Sequence, residues 1–350
     1  MTGPAQHQNV LGLNREELEA LAVRLGQPKY RGRQIYHGVY ARRVLDLAEL
    51  TDLDLALREN LAAEHAISYP QVEREFASRD GAVRYLFTLK DGSRIETVYM
   101  PEEDRTTLCL SSQVGCALGC QFCFTALLGS ERNLTAGEIV GQVLAVAARQ
   151  NVLEGARLNL VFMGMGEPLL NLPQVLKAIE ILCDPKGVGV PLRRVAVSTV
   201  GIIPRLEELA HESRRPKLAI SLNASSDEQR SALMPINRKY PLAELLQACR
   251  AYPLRSWERL LFEYVLLAGV NDTDADARRV AELLRGLRAT VNLIPYNRGP
   301  ELPYGAPPME RVLAFQQILI GRHVPAFIRI SRGQDICAAC GQLSLKSSGS

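Results

Sequence analysis

Apolar residues recur with two different periods along this chain. In residues 16–25 and 48–63 they fall at helical spacing without β-branched runs, which predicts a helical N-terminal part over residues 1–70. The period then changes to two. Val83-Arg84-Tyr85-Leu86-Phe87-Thr88-Leu89 alternates, Asp91-Gly92 is a turn pair, and residues 94–99 alternate again. This predicts a β-hairpin extension over residues 71–105. From 106 to 300, strand-like runs at 107–111, 158–163, 195–198, 218–222, 261–266 and 290–294 alternate with helical patterns at 135–150, 174–182, 203–211, 243–251 and 274–285. Thr135 and Glu138 supply a capping box for one of these helices. Six such units in succession predict an α/β fold with a parallel sheet, either a partial (β/α) barrel or a doubly wound sheet. In both, the chemistry lies at the C-terminal ends of the strands. Residues 301–350 read as a helix at 309–320, a strand at 326–330, and a Gly/Ser-bearing segment, 333–350, expected to be flexible.

Composition narrows the class. The 350 residues are 47% hydrophobic and 23% charged, which excludes wholesale disorder. No apolar run is long enough to span a bilayer, and the first residues carry neither a basic nor an apolar signal region. A cytoplasmic protein without a membrane partner is expected. The net charge of +3 excludes a histone-like polycation but leaves room for a local basic patch. The segment from Lys29 to His37 mixes cations with aromatics. It reads either as a solvated helix face or as a nucleic-acid contact.

The eight cysteines are unevenly placed. Cys183 and Cys249 sit in apolar helical stretches and read as small buried hydrophobes. Cys116, Cys120 and Cys123 follow the first barrel strand at C-x3-C-x2-C spacing, with Gly115 and Gly119 allowing a tight wrap. A closed zinc site takes four ligands, and the local count is three. A [4Fe–4S] cluster with one open iron suits that count better than zinc or disulfides.

This spacing, with Phe122 before the third cysteine, resembles the radical S-adenosylmethionine (SAM) superfamily. The resemblance implies a partial (β/α)6 barrel and an open iron that chelates the amino and carboxylate groups of SAM. Gly164-Met-Gly166-Glu167-Pro168 is similar to the superfamily's Gly-Glu-Pro segment, which contacts the methionyl ammonium. Ser198-Thr199, Ser221-Leu222-Asn223 and Pro295-Tyr296-Asn297 close later strands, as caps or as ligand contacts.

Further segments narrow the resemblance. Glu96-Thr-Val-Tyr-Met-Pro-Glu-Glu-Asp-Arg105, Thr107-Leu-Cys109-Leu-Ser-Ser-Gln-Val-Gly-Cys116, Arg132-Asn-Leu-Thr-Ala-Gly-Glu138-Ile and Gly164-Met-Gly-Glu167-Pro-Leu-Leu-Asn171 are followed late in the chain by Ala339-Cys340-Gly341-Gln342-Leu343. Together they resemble the RlmN family of dual-specificity RNA methyltransferases, from about residue 10 to residue 344. That family implies C2 methylation of adenosine in 23S rRNA (adenosine 2503) and in tRNA (adenosine 37).

The resemblance also implies roles. Cys116, Cys120 and Cys123 would ligate the cluster, and Gly166, Glu167, Ser198, Ser221, Asn223 and Asn297 would contact SAM. Cys340 would accept a methyl group from one SAM. A second SAM would supply the radical that activates that methyl for addition to the base. Cys109 would deprotonate C2 and then close a disulfide with Cys340, with Glu96 assisting. Two SAM are thus consumed per methylation. An electron donor such as flavodoxin and a monomeric state are expected. The family usually carries His where Asn223 stands, and Cys337 is an extra thiol.

An excess of Lys and Arg over residues 189–299 includes Arg193-Arg194, Arg214-Arg215, Lys217 and Arg238-Lys239. With Arg31, Arg33 and Tyr36 it predicts an RNA-docking rim around the barrel mouth, against the alternative of dispersed solvated charges. Two other functional classes stay open at this level: a Cfr-type C8 adenosine methyltransferase and a non-catalytic iron–sulfur RNA-binding protein.

Overall fold

The computed structural model describes residues 7–152, 157–298 and 302–345. The expected tail flexibility at 346–350 lies outside them. A short parallel pair, β1 (Gln8–Asn9) and β2 (His65–Ala66), ties together the ends of an N-terminal helical part made of α1 (Arg15–Arg24), α2 (Lys29–His37) and α3 (Leu55–Glu64). Asn14 caps α1 in a reciprocal box with Glu17. The helix expected over 48–63 is shorter than its apolar pattern, because the Asp54 carboxylate accepts from Leu57 N and starts α3 there.

Three antiparallel strands follow: β3 (Gln71–Ala77), β4 (Val83–Thr88) and β5 (Arg94–Pro101). The sequence reading anticipated only the last two. Next come β6 (Thr106–Cys109), the small hairpin β7 (Gln113–Gly115) and β8 (Ser130–Asn133), and α4 (Ala136–Gln150). The alternation continues through β9 (Leu158–Phe162), α5 (Leu172–Cys183), β10 (Val195–Thr199), α6 (Ile203–His211) and β11 (Lys217–Ser221). After α7 (Asp227–Leu233) and α8 (Leu242–Ala251) come β12 (Leu260–Leu266), α9 (Asp274–Leu283), β13 (Ala289–Pro295), α10 (Met309–Gly321) and β14 (Ala326–Ile328).

Ten strands form one sheet in the order β14-β13-β12-β11-β10-β9-β6-β5-β4-β3, parallel from β14 to β6 and antiparallel beyond. The expected hairpin extension is thus continuous with the barrel sheet. Strand periodicity shows which face is which. On β9 and β10, Leu158, Leu160, Phe162, Val195 and Val197 are fully buried under helices, while the alternate Val161, Ala196 and Ser198 remain partly accessible. The second set lines a lumen.

The sheet must be strongly curled. Eight strand spacings of about 4.8 Å would put β14 and β4 roughly 38 Å apart in a flat sheet. Yet the five residues from Ile328 bring the amide of Gly333 within 2.8 Å of Asp80 Oδ2, in the turn between β3 and β4. Five extended residues span at most about 18 Å. The tail therefore bridges two edges that curling has brought close together.

The N-terminal part docks on the barrel through two glycines. Tyr40 Oη accepts from Gly12 N and donates to Leu13 O, both at 2.8 Å, fixing the loop whose Gly12 lies against Gly137 of α4. A Cβ on Gly137 would lie 2.2 Å from Leu11 O. We expect Gly137→Ala to destabilise the fold by at least about 2 kcal/mol. The urea midpoint checks this, and an unchanged midpoint would show that the contact yields freely.

Candidate active site

Strand register alone collects many of the candidate residues on one face. Val98 pairs with Cys109, Cys109 with Val161, and Val161 with Ala196. Ser221 pairs with Glu263, and Glu263 with Asn292. Residues in register share a face, as do residues two apart on one strand. Glu96, Cys109, Ser198, Ser221, Glu263 and Asn292 therefore all face the lumen. Ser198 Oγ and Ser221 Oγ lie 3.5 Å apart, and Asn292 Nδ2 donates to Glu263 Oε1 at 3.0 Å.

The three-cysteine loop leaves β7 and returns through β8. Cys116 N donates to Gly129 O at 2.5 Å, so the two ends of the loop meet. Gly115 (φ 74°) is required there, since a Cβ would lie 2.0 Å from Gly129 O. The three thiols are close enough to repel one another electrostatically as anions. Burial pushes the Cys116 thiol up to about 11 and raises Cys120 and Cys123 as well. Such thiols stay protonated until a metal takes the proton's place. Three soft sulfur donors on a glycine-bearing loop, with no fourth cysteine in it, fit a [4Fe–4S] cluster with one open iron.

Glu167 follows the left-handed Gly166 (φ 98°), whose missing side chain makes room for Gln113. Its carboxylate accepts from Leu169 N and Val200 N, each at 3.0 Å. Burial pushes it up to about 7. Asn297 donates through Nδ2 to Ser331 Oγ (2.9 Å) and to the carbonyl of Cys340 (3.2 Å), while its Oδ1 is buried without a partner. An orphaned acceptor at a barrel strand end fits a ligand bearing N–H or O–H donors, as SAM does. Asn223 differs. It is left-handed (φ 54°), its Oδ1 accepts from Val265 N at 2.9 Å, and its Nδ2 faces Met234 Sδ. Asn and His both tolerate this backbone better than most residues, which accounts for the exchange on conformational grounds.

The late cysteine segment is docked, unlike the mobile segment its glycines and serines predict. Ile336, Ala338, Ala339 and Leu343 are buried. Phe124 N donates to Gly341 O, Thr125 Oγ1 to Leu343 O, and Gln342 Nε2 to Arg298 O, each at 2.8 Å. Phe124 and Thr125 immediately follow Cys123, so the segment rests on the three-cysteine loop. Cys340 is exposed as a residue, while desolvation, with the charge of Glu263, pushes its thiol up to about 11. It lies within electrostatic reach of Glu263, Arg329 and Cys123, and Cys109 within reach of it. Cys109 is buried at the end of β6, and burial raises its thiol too. Glu96 pairs with Arg84, a diagonal neighbour on β4, and accepts from Leu345 N at 3.3 Å. Burial raises its carboxyl despite the guanidinium. Cys337 sits half-buried at a left-handed turn (φ 52°).

Sequence reasoning missed three contributors. Arg230 is fully buried and donates to Leu222 O, Val200 O, Ser221 O and Asn237 Oδ1 at 2.7 to 3.2 Å. All four acceptors are uncharged, and the guanidinium lies within electrostatic reach of Cys120. Gln142 ties the loop after β6 to β5, accepting from Thr97 Oγ1 (2.7 Å) and Ser111 N (2.9 Å). Glu263 is the third, a carboxyl inside an otherwise apolar strand. Arginine in an ordinary amphipathic helix gives no sequence signal of burial, but an acid within Leu-Leu-Phe-Glu-Tyr-Val-Leu does.

The expected RNA rim needs correction. Tyr36 is buried against Tyr40, with ring centroids 4.7 Å apart, and cannot stack on a base. Arg31 and Arg33 pair with Asp54 and Glu19. Arg193-Arg194 precede β10 and Arg214-Arg215 precede β11, at the ends of these strands opposite the site. Arg238 and Lys239 follow β11 and stay exposed on the site's side.

The Glu263 carboxyl titrates at about 7 in the fold, against 4.5 ordinarily, because burial penalises its charge. Between those values the folded state binds more protons than the unfolded one, so stability falls as pH rises through that window. Glu167 acts in the same direction. Glu263→Gln should flatten this fall by up to about 1.4 kcal/mol per pH unit in urea titrations of metal-free protein. An unaltered slope would mean that Glu263 titrates alike in both states. Arg230→Gln, too short for four acceptors, should lower stability by about 3 kcal/mol in the same assay.

Comparison with known proteins places this geometry. The radical SAM superfamily model matches residues 110–283, and that of the ribosomal RNA large subunit methyltransferase N-terminal domain matches residues 8–67. A probable dual-specificity RNA methyltransferase RlmN of Koribacter versatilis is 54% identical over 337 residues, covering 91% of this chain and 97% of its own. A probable dual-specificity RNA methyltransferase RlmN of Thermus thermophilus is 49% identical, covering 94% and 93%. The crystal structure of a radical SAM methyltransferase from Sphaerobacter thermophilus superposes with a TM-score of 0.92 at 46% identity, covering 97% of this chain and all of that one. With a curled α/β sheet, a three-thiol loop and a lumen-facing cysteine pair, the chain belongs to the RlmN family of dual-specificity radical SAM RNA methyltransferases.

Proposed function

We propose that this enzyme methylates C2 of adenosine, at adenosine 2503 of 23S rRNA and adenosine 37 of tRNA, through a carrier thiol on Cys340 and a resolving thiol on Cys109. One observation carries the reading. Two thiols from distant parts of the chain face one lumen beside the three-cysteine loop. When bound, the [4Fe–4S] cluster and SAM supply a 5′-deoxyadenosyl radical.

The chain's own residues divide the work. Cys116, Cys120 and Cys123 hold the cluster. Gly166 opens space beside Glu167, and Glu167, Ser198, Ser221, Asn223 and Asn297 bind and orient SAM, Asn297 through its unpartnered Oδ1. Asn223 serves mainly by fixing the backbone between β11 and β12. The Cys340 thiolate takes the methyl group of one SAM, forming the C–S bond as the sulfonium bond breaks. Loss of one hydrogen from that methyl, to the radical derived from a second SAM, gives a carbon radical that adds to C2. Cys109 removes the C2 proton. The unpaired electron left by the addition would return to the oxidised cluster. The Cys109 sulfur would then attack the Cys340 sulfur and break its bond to the methylene carbon, which would take up the proton removed from C2, so that the disulfide forms as the methylated base leaves. Glu96 acts beside the docked tail.

The amidine carbon C2 is neither acidic nor nucleophilic, so a direct polar transfer fails there and a tethered radical route avoids that barrier. The base must also leave its stack to reach Cys340, which favours a loop adenosine in folded RNA. A one-electron donor such as flavodoxin would start and renew the cycle, and the chain would act as a monomer. Among the described residues no helix is long and apolar enough to cross a membrane.

Nucleoside mass spectrometry of tRNA and rRNA treated with reconstituted enzyme should show 2-methyladenosine. A product methylated at C8 would overturn the assignment in favour of Cfr-type chemistry. Cys340→Ala should give neither product nor RNA adduct, whereas Cys109→Ala should accumulate a covalent protein–RNA species. If Cys337→Ala abolishes methylation and Cys340→Ala does not, the carrier is the wrong cysteine. The triple Cys116, Cys120 and Cys123→Ala variant should lose its iron, and full iron retention would exclude these ligands.

A further inference from the structure

The turn between β3 and β4 has no part in the chemistry above, yet it grips the segment that bears Cys340. Ser78 Oγ donates to Asp335 Oδ1 at 2.5 Å, and Arg79 N donates to Asp335 Oδ2 at 3.1 Å. Gly333 N donates to Asp80 Oδ2 at 2.8 Å. Arg332 donates to Pro101 O at 2.6 Å and to Asp80 O, with its Nε 3.7 Å from the Asp80 carboxylate. The turn is itself preset: Ala82 N donates to Asp80 Oδ1 at 2.9 Å, and Ser78 N to Ala82 O at 2.8 Å. Gly333 is left-handed (φ 65°), and a Cβ there would lie 2.8 Å from Ala338 Cβ. Glycine thus lets the tail turn tightly on itself where it meets the hairpin.

This grip has a consequence for Cys340. Between Ile328, where β14 ends, and Cys340 the chain carries no strand, only the short helical turn Gln334–Ile336. The hydrogen bonds at 332–335 fix one end of that stretch, and those from Phe124, Thr125 and Asn297 fix the other. A thiol held at both ends stays aligned with Cys109 and the lumen, whereas one held at a single end sweeps a larger volume.

We propose that Ser78, Asp80 and Asp335 are positioning residues: the β3–β4 turn is a clasp that sets where Cys340 stands relative to Cys109. The proposal rests on the carrier and resolving roles assigned to those two cysteines. The Asp335 side chain is exposed, and its two donors hold its carboxyl below the usual carboxylate range. Its substitution therefore tests the clasp without opening the core.

The experiment measures geometry apart from methylation. Reconstituted full-length protein, without RNA, is treated anaerobically with glutathione disulfide. That reagent takes the two electrons and two protons released as the Cys109–Cys340 disulfide forms. Peptide mass spectrometry then follows closure, counting disulfides of Cys337 separately. We expect Asp335→Ala and Ser78→Ala each to slow Cys109–Cys340 closure on the order of tenfold, as loss of charge-assisted hydrogen bonds predicts. Ser78→Thr, which keeps the hydroxyl, should restore the parent rate. In methylation assays Asp335→Ala should lower kcat while KM for tRNA holds. Equal closure rates in the parent and both alanine variants would overturn the clasp, whatever the methylation result. So would a parent that closes no Cys109–Cys340 disulfide. The carrier reading fails on a different result, methylation by Cys340→Ala at the parent rate.

Discussion

The distance between the edges of the ten-stranded sheet governs everything else in this protein. Strand spacing pushes β14 and β4 apart, while the few residues between Ile328 and Gly333 hold them together. Both conditions are met only if the sheet curls, and curling gives it an inside. Fully buried residues such as Leu160, Phe162, Val197 and Ile220 pack outward beneath helices and supply the apolar burial. Several inward positions are small or polar, among them Ser198, Ser221, Glu263 and Asn292, beside apolar ones such as Val98 and Val161. A closed (β/α)8 barrel fills its centre with layers of branched apolar side chains. Here polar side chains take several of those places.

Burial makes the lumen electrostatically demanding. Three thiols, two cysteine partners and the carboxyls of Glu167 and Glu263 all resist ionisation there. Arg230 is the counterweight. Its guanidinium is bonded only to neutral acceptors, an arrangement that is costly for an isolated buried cation. The Asp227 carboxylate and Cys120 lie within its electrostatic reach; the carboxylate offsets the cation, and so would a Cys120 thiolate in the proposed cluster site.

Cys109 and Cys340 differ in mounting. Cys109 ends a strand paired on both sides, so its position follows from the sheet. Cys340 hangs on a segment without strand pairing, held by individual hydrogen bonds to the three-cysteine loop, the end of β13 and the β3–β4 turn. Such bonds are individually weak and exchangeable. The mounting fits the carrier role proposed for Cys340, in which the thiol meets a base and a second thiol in one cycle.

Much of this was legible in the sequence by itself. The period-two and period-3.6 patterns located the six barrel strands and their helices, because alternation and helical spacing are local properties of the chain. The three-cysteine spacing was legible for the same reason, being a short motif, whereas the roles expected for Glu167, Cys109 and Cys340 came from the resemblance to a family. Only the tertiary structure decided what depends on residues far apart. It put Tyr36 in the core and Arg214 and Arg215 at the wrong end for a docking rim, since burial and sheet polarity are not encoded in a local charge run. It turned a glycine- and serine-bearing tail into a docked one through partners more than two hundred residues away. It also buried Arg230 beside Cys120, because a helix pattern shows which residues share a face but not what that face meets.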